Sequence, residues 1–331
     1  MPATVNAAYD PRVDDFRTRP ATADDAAAIK DLLAAAESVD HTDEHYTVAD
    51  VVEEIENPMI DLARDWLVVE RAGALVGQCR LLPRAPADGV LSVAVDGTVH
   101  PAHRRQGIGS HVVPLMLRRA HDYVRERGDL RPVVTADAPS TNTDLASILA
   151  RHGLHPYRWT FAMEAGLADV EEVPALPDGY RLSTWEGVDQ DEMRRAHNQA
   201  FVGHPGFTPW NAEMWDQWVA LSRNYRPALS LIARDASGDV AAYVQSVEFD
   251  AVAEVTGVRE AYVGKVGTLP AHRRRGLAGV LLRTALQRYR DAGFDRAALE
   301  VDSENPTGAL GIYEQAGFRT TKRWTNYLLA E

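Results

Sequence analysis

Two short stretches of this 331-residue chain are almost identical. The first is Pro101-Ala102-His103-Arg104-Arg105-Gln106-Gly107-Ile108-Gly109, and the second is Pro270-Ala271-His272-Arg273-Arg274-Arg275-Gly276-Leu277-Ala278. Each follows an apolar, strand-like run and precedes a helical pattern. A basic turn with a glycine at a helix start presents free backbone N–H groups and the positive end of the helix to an anion such as a pyrophosphate. The repeat therefore predicts two copies of one nucleotide-cofactor domain.

The order of predicted elements is the same on both sides of residues 169–179. That segment is acidic, contains Pro174 and Pro177, and is predicted to be a linker. On each side an extended segment and a helix precede a hairpin, a further strand and the basic turn. A long helix, a strand, a short helix and a last strand follow. The order predicts an α+β fold with domains at residues 1–168 and 180–331.

Composition argues against several other classes of protein. A net charge of −13 disfavours a general nucleic-acid binder and modestly favours a cationic acceptor, although solubility is the simpler explanation. No apolar run is long enough to span a bilayer and no secretory signal is seen, so we expect a cytoplasmic protein without a membrane partner. The single cysteine, Cys79, is predicted to be a buried, inert thiol. The eleven histidines show no metal-binding spacing, so no metal is expected.

Both turns carry the pattern Arg-x-x-Gly-x-Gly/Ala, which is neither a P-loop nor a dinucleotide fingerprint. With the strand before and the helix after, each turn resembles the acetyl-CoA-binding motif of the GNAT acetyltransferase superfamily. The resemblance implies two tandem GNAT domains, each a mixed, mostly antiparallel sheet flanked by helices. It also implies acetyl-CoA as co-substrate, and we expect a monomer or homodimer.

In that family the strand before the turn splays from its neighbour, and its backbone N–H groups hold the pantetheine arm of acetyl-CoA. Carried over to this chain, the resemblance assigns contacts with acetyl-CoA in both halves. In the second half they are Val266, Gly267, Thr268, Leu269, Arg273, Arg274, Arg275, Gly276, Leu277, Ala278, Gly279 and Asn305. In the first half they are Thr98, Val99, Arg104, Arg105, Gln106, Gly107, Ile108, Gly109 and Ser110.

Acetyl transfer to an amine needs a base for the amine proton and an acid for the departing thiolate. Residues 300–318 resemble the late motif of the family, in which an asparagine opens a helix and a tyrosine follows two turns later. The resemblance makes Tyr313 the candidate acid and Asn305 a pantetheine contact, a helix cap or both. Glu260, at the start of the strand that leads to the turn, is the candidate base, and Glu248 on the neighbouring strand is the alternative.

The first half lacks these proton-carrying groups. Alignment of the two turns places Leu91 opposite Glu260, and alignment of Gly153 with Gly317 places Leu149 opposite Tyr313. Pro114 also interrupts the helix after the first turn. The first domain is therefore predicted to be catalytically inactive.

The acceptor side is assigned to residues 197–218. Residues 197–205 resemble an early second-domain segment of the mycothiol synthases, a tandem branch of the family that acetylates the cysteinyl amine of a sugar-linked thiol. Residues 207–218 depart from that segment. The candidate acceptor contacts are His204, Trp210, Trp215 and Trp218, with core packing as the alternative for each tryptophan.

The sequence thus predicts an acetyl-CoA-dependent N-acetyltransferase that acts on a small-molecule amine. A non-catalytic acyl-CoA sensor and a protein or peptide N-acetyltransferase are the alternatives.

Overall fold

The computed structural model describes residues 15–84, 86, 89–168, 170, 172–204, 207–303 and 308–330. These residues form two compact units. The first contains residues 15–84, 89–155 and 327–330, and the second contains residue 86 and the described part of 156–326. Among the described residues, no helix has the length and apolar character that crossing a membrane requires.

The first unit is a five-stranded sheet in the order β1-β2-β3-β4-β5. Its pairs are antiparallel except for the parallel pair β4–β5. The strands are β1 Arg17–Pro20, β2 Trp66–Arg71, β3 Ala74–Pro83, β4 Val90–Val99 and β5 Arg131–Pro139. The helices are α1 Ala26–Asp40, α2 Val48–Ile55, α3 Leu62–Asp65, α4 Ile108–Arg125 and α5 Thr143–Arg151.

Local sequence accounts for two features of this unit. The reciprocal capping box of Thr22 and Asp25 starts the short turn that leads into α1. Helix α4 continues through Pro114, because the face that carries Val113, Met116 and Leu117 is buried in the core. That burial offsets the roughly 3 kcal/mol that an internal proline costs a helix. Cys79 lies in the same core, and burial holds the pKa of its thiol far above the ordinary value.

In the sheet of the second unit, six strands follow in the order β6-β11-β10-β9-β8-β7, and residues 319–326 of the last strand, β12 Arg319–Leu329, lie beside β6. Only β10 and β11 are parallel. The strands are β6 Leu154–Gly166, β7 Arg181–Thr184, β8 Leu231–Arg234, β9 Val240–Val247, β10 Glu260–Thr268 and β11 Arg296–Asp302. The helices are α6 Gln190–Ala200, α7 Ala212–Trp215, α8 Asp250–Thr256, α9 Leu277–Asp291 and α10 Ala309–Gln315. The α+β fold with mixed, mostly antiparallel sheets is therefore confirmed.

Apolar side chains cover both faces of the second sheet. One face packs under α9, with Leu281 and Leu282 at the centre of that cluster. The other face packs against α6 and α7 around Trp185 and Tyr243. The two faces of this sheet therefore contact different helices.

Two strands change unit along their length. Residues 156–166 of β6 belong to the second unit, where residues 160–166 pair with β11. The last strand, β12 Arg319–Leu329, ends in the first unit, and Tyr327 is buried in the first core. The domain boundaries derived from the sequence, with a linker at 169–179, stay a prediction.

Candidate functional site

The two basic turns have the same backbone geometry. Gly107 and Gly276 adopt φ angles of +89° and +79°, and Arg105 and Arg274 both adopt +60°. A positive φ is easily reached only by glycine, so each glycine allows the sharp entry into the helix that follows. The shared geometry places the start of a long helix directly after each turn.

The first N–H groups of both helices lack a partner within the helix. In α9 the N–H of Val280 is the first to bond back, to the carbonyl of Gly276 at 3.1 Å. Among the described residues nothing bonds the N–H groups of Leu277, Ala278 and Gly279, so these are the free donors at the positive end of α9. The matching donors of α4 are Ile108, Gly109 and Ser110, because His111 is the first to bond back, to Gly107 at 3.0 Å.

The first arginine of each turn, Arg104 or Arg273, donates hydrogen bonds to other parts of its own unit. Arg273 donates from Nε to the Thr268 carbonyl at 3.2 Å and from its guanidinium to the Ala200 carbonyl at 2.9 Å. In the first unit, both terminal nitrogens of Arg104 bond Asp40 at 2.6 Å. These donors hold each turn against a helix of its own unit, and the contacts of Arg104 and Arg273 with acetyl-CoA stay a prediction.

The remaining side chains of the two turns differ. Arg105 pairs with Asp144 at 2.8 Å, and the Gln106 amide donates to a carbonyl of its own turn at 3.1 Å. In the second unit, Arg275 donates to the Tyr180 hydroxyl at 3.1 Å. Arg274 is exposed, and no other residue in the described part of the chain bonds its guanidinium. The second turn thus keeps one uncommitted cation beside the helix start.

Strand β10 separates from β11 early and carries a bulge at that point. The parallel ladder joins only Glu260–Tyr262 to Arg296–Ala298. The register with β9 then shifts between Val263 and Lys265, so Gly264 is an extra, bulged residue. A bulge reorients backbone groups locally and is often found beside an active site. The second unit therefore opens a gap between two parallel strands beside a bulged glycine.

The first unit does not repeat this geometry. Its parallel ladder is longer and joins Val90–Val95 to Arg131–Ala136. Its antiparallel ladder between β3 and β4 runs without a register shift. Sequence reasoning missed this difference, since a bulge depends on strand pairing and leaves no local motif around Gly264.

Alternation along β10 decides which predicted backbone donors are free. In an antiparallel pair, successive N–H groups point to opposite sides. The N–H of Leu269 donates to the Ala241 carbonyl at 2.9 Å, so Leu269 and, two residues earlier, Gly267 face β9. Leu269 is therefore removed from the predicted set of pantetheine donors, because its N–H bonds β9. The N–H of Gly267 points toward β9 as well.

Val266 and Thr268 face the other side, toward the gap left by β11. The Thr268 carbonyl confirms this direction, since it accepts from the side chain of Arg273. In the first unit the same alternation turns Thr98 toward β3 and Val99 away from it. Within the described part of the chain, the free backbone donors of β10 are thus the N–H groups of Val266 and Thr268.

Glu260, Tyr262 and Lys265 lie on one face of β10. Side chains alternate along a strand, and the extra residue at the bulge restores Lys265 to the face of Glu260. Ala261 and Val263 occupy the opposite face, in the core under α9. The face opposite α9 is therefore the polar side of the bulge.

Glu260 is a largely buried carboxylate with one cationic neighbour. Arg296 donates to it at 2.5 Å and also bonds Glu164 at 3.1 Å. Burial raises the pKa of Glu260 above its ordinary value, although Arg296 opposes the shift. Glu260 lies four residues before Gly264, about 13 Å along a strand with a rise of about 3.3 Å per residue. A proton therefore reaches Glu260 from the bulge only through an intervening group such as water.

Glu248, the alternative base, is committed elsewhere. Its carboxylate accepts from Arg226 at 2.9 Å and from Arg259 at 2.7 Å. Partial burial alone would raise the pKa of Glu248, but the two guanidinium groups together hold it below the ordinary value. A doubly bonded carboxylate with a lowered pKa is a poor proton acceptor, so the geometry favours Glu260.

Tyr313 lies on α10 and is buried in the core that also contains Leu277 of the turn. Val266, one of the two free donors, packs against the same core. Burial raises the pKa of Tyr313 to about 12, so its hydroxyl keeps its proton at neutral pH. The other residue of the late motif, Asn305, lies outside the described residues.

Aromatic side chains lie beside Lys265, on the polar side of the bulge. Trp210 is half-buried, and the Lys265 ammonium lies 4.8 Å from its ring centroid. His197, which is 2% exposed, bonds the Tyr243 hydroxyl through Nδ1 at 2.8 Å. Burial and then the charge of Lys265 lower the pKa of His197 to about 3, so the imidazole is neutral.

The other predicted acceptor contacts have different environments. Trp215 is 1% exposed, stacks on Trp185 and donates to Gln190 at 3.1 Å, so it is a core residue and its predicted contact with the acceptor is corrected. Trp218 remains exposed beside Trp210. His204 is half-buried, with its ring 5.7 Å from that of Phe201.

In the first unit, an ion cluster lies on the face of β4 that corresponds to the polar side of the bulge. Asp96, which lies as far before its turn as Lys265 does, accepts from Arg80 at 2.9 Å. Arg80 also pairs with Glu54 and lies 4.7 Å from the ring centroid of Trp66. Leu91, opposite Glu260 in the alignment, is buried in the core. The first unit therefore has no proton-carrying group at that position.

One group of possible metal ligands occurs among the described residues. Glu37, Asp43 and His45 bring ligand atoms within 4.8 Å of one another. The Glu37 carboxylate already accepts from the backbone N–H groups of Thr42 and Asp43 after α1. These hydrogen bonds tie the Glu37 carboxylate to the backbone that follows α1.

In comparisons with known proteins, a family profile matches each half of the chain. The profile of the Acetyltransferase (GNAT) family matches residues 190–318, and that of an Acetyltransferase (GNAT) domain matches residues 16–155. The chain is 30% identical to a mycothiol acetyltransferase of Tsukamurella paurometabola over 240 residues, which cover 71% of this chain and 77% of that one. It is 29% identical to a mycothiol acetyltransferase of Thermobispora bispora over 78% of this chain and 81% of that one.

Solved structures agree over nearly the full length. A GCN5-related N-acetyltransferase from Sphaerobacter thermophilus superposes with a TM-score of 0.73 at 26% identity, covering 95% of both chains. A tandem GNAT protein from the clavulanic acid biosynthesis pathway superposes with a TM-score of 0.68 at 21% identity, covering 95% of this chain and 98% of that one. The second likeness concerns the fold alone.

Proposed function

Because this chain belongs to the GNAT acetyltransferase family and contains two such domains in tandem, we propose that its second unit acetylates the primary amine of a small molecule. Acetyl-CoA supplies the thioester. The amine nitrogen forms a bond to the acetyl carbon, the C–S bond breaks, and coenzyme A leaves as a thiol. The observation that carries this proposal is the bulge at Gly264, at the point where β10 leaves β11.

The residues of the second unit suit acetyl-CoA. The three free N–H groups at the start of α9 and the exposed Arg274 provide a site for a pyrophosphate. The free N–H groups of Val266 and Thr268 provide donors for the pantetheine arm and for the oxygen of the thioester. A donor aimed at developing negative charge contributes roughly 3 to 4 kcal/mol to catalysis.

Two side chains complete the proton transfers. Glu260 accepts the amine proton through water, because its raised pKa makes it a better base than an exposed carboxylate. Tyr313 donates its phenolic proton to the departing thiolate. The first unit has neither group and serves a structural role in this proposal.

The test is an assay of thiol release and product mass with acetyl-CoA and four amines: glucosamine, S-methyl-L-cysteinamide, spermidine and a short unblocked peptide. We expect transfer of one acetyl group to at least one of the three small amines. Transfer to the peptide alone would replace the proposal by protein acetylation. Coenzyme A binding without thiol release would replace it by an acyl-CoA sensor.

Substitution of each candidate base by glutamine distinguishes their roles. Glu260→Gln is expected to lower kcat by about 100-fold and to remove the acidic limb of the pH profile. That limb lies above the ordinary carboxyl pKa, since activity is lost as the pH falls through the raised pKa of Glu260. Glu248→Gln is expected to keep kcat and its pH dependence while lowering stability, because two arginines lose their partner. The reverse pattern in a pH–rate series would make Glu248 the base.

A further inference from the structure

Gln245 is the buried residue of β9 that lies opposite the bulge. Its backbone pairs with Lys265, directly after Gly264. Its side chain is 1% exposed, and Oε1 is only 3.2 Å from where a Cβ on Gly264 would lie. The amide oxygen therefore stands over the bulged residue.

This oxygen accepts no hydrogen bond from the described residues. Nearly all buried carbonyl oxygens in folded proteins have a partner, because burial without one costs free energy. A buried acceptor without a partner at the reaction centre indicates that the missing donor arrives with a ligand. The N–H of an acceptor amine at the bulge is such a donor.

The first unit supports this interpretation by contrast. There the residue that faces Asp96 across the ladder is Arg80, in the place of Gln245. Arg80 forms ion pairs with both Glu54 and Asp96. Only the unit with the open, bulged strand leaves a buried acceptor at this position.

We propose that Gln245 is a positioning residue, whose Oε1 accepts a hydrogen bond from the acceptor amine and directs the nitrogen lone pair at the thioester carbon. The proposal rests on the acetyltransferase function proposed above. Gln245 exchanges no proton in the reaction. It fixes the orientation of the nucleophile, so its loss affects the amine and leaves acetyl-CoA binding intact.

The test compares Gln245→Leu with wild type, using S-methyl-L-cysteinamide as the probe amine and mass spectrometry to detect the product. We expect kcat/KM for the amine to fall about 10- to 100-fold. The KM of acetyl-CoA and the melting temperature stay at the wild-type values, because the variant removes an oxygen that bonds none of the described residues. Gln245→Glu keeps an acceptor oxygen and recovers most of the rate above the pKa of the new carboxyl.

Gln78 provides a matched control in the first unit. It is equally buried, at 1% exposure, but its Oε1 accepts from the Trp66 indole at 2.7 Å. Gln78→Leu should lower the melting temperature and leave acetyl transfer unchanged, the opposite of Gln245→Leu. Wild-type kinetics in Gln245→Leu, or an equal rise in the KM of both substrates, would overturn the proposal. A wild-type protein that acetylates none of the four amines would instead overturn the proposed function itself.

Discussion

A Tyr313→Phe variant is expected to lose about 100-fold or more of kcat for acetyl transfer while its affinity for acetyl-CoA is retained. The hydroxyl is the proposed proton donor to the leaving thiolate, and burial keeps it protonated with a pKa raised to about 12. No hydrogen bond to this hydroxyl is formed by the residues that the structure describes, so its removal should cost little stability. The measurement is kcat together with the dissociation constant of acetyl-CoA and the melting temperature.

Tyr289→Phe is the matched control for this prediction. Tyr289 is also buried in the second unit, but its hydroxyl bonds Ser246 at 2.6 Å. Its removal should lower stability by about 1 kcal/mol and leave kcat unchanged. If Tyr313→Phe kept the wild-type kcat with an accepted amine, the proton donor would have to be another group or water.

Gly267→Ala is expected to destabilise the protein by about 1 to 3 kcal/mol. A Cβ at this position would lie 2.7 Å from the Tyr243 hydroxyl oxygen and closer still to its ring carbons. The ring cannot move aside cheaply, since Tyr243 is fully buried and bonds His197. The strain falls on the strand that carries Val266 and Thr268, so acetyl transfer should fall as well. Denaturant unfolding and kcat measure the two effects.

Gly166→Ala tests whether the effect is specific to Gly267. Gly166 also lies in a strand of the second unit, but nothing comes within 4 Å of an added Cβ. The free energy of unfolding of this control should stay within about 0.5 kcal/mol of wild type. In addition, Gly267→Ala should cost less in a Tyr243→Leu background, because the smaller side chain leaves room for the methyl group. Independent, additive effects would contradict the steric explanation.

Features that depend on neighbouring residues could be predicted from the sequence. The capping box of Thr22 and Asp25 and the glycine turns at Gly107 and Gly276 follow from local chemistry. Hydrophobic periodicity likewise located α9 and the strands around each turn. The repeat of the turn was enough to predict two domains of one fold.

Features that depend on distant partners could not be predicted. The resemblance assigns Arg104 and Arg273 to acetyl-CoA, but no local pattern shows that their donors also meet Asp40 and the Ala200 carbonyl, far away along the chain. Trp215 was a candidate acceptor contact because a tryptophan suits a pocket and a core equally well. The position of Gln245 has meaning only after the register with β10 is known.

The path of β6 and β12 has a consequence for the history of the chain. A cut in the gene between the two repeats would separate residues 160–166 from β11 and Tyr327 from the first core. Each half of the sequence therefore supplies a piece of the other compact unit. Division of the chain at the boundary between the repeats would therefore leave both compact units incomplete, so the two repeats are inherited and selected as one object.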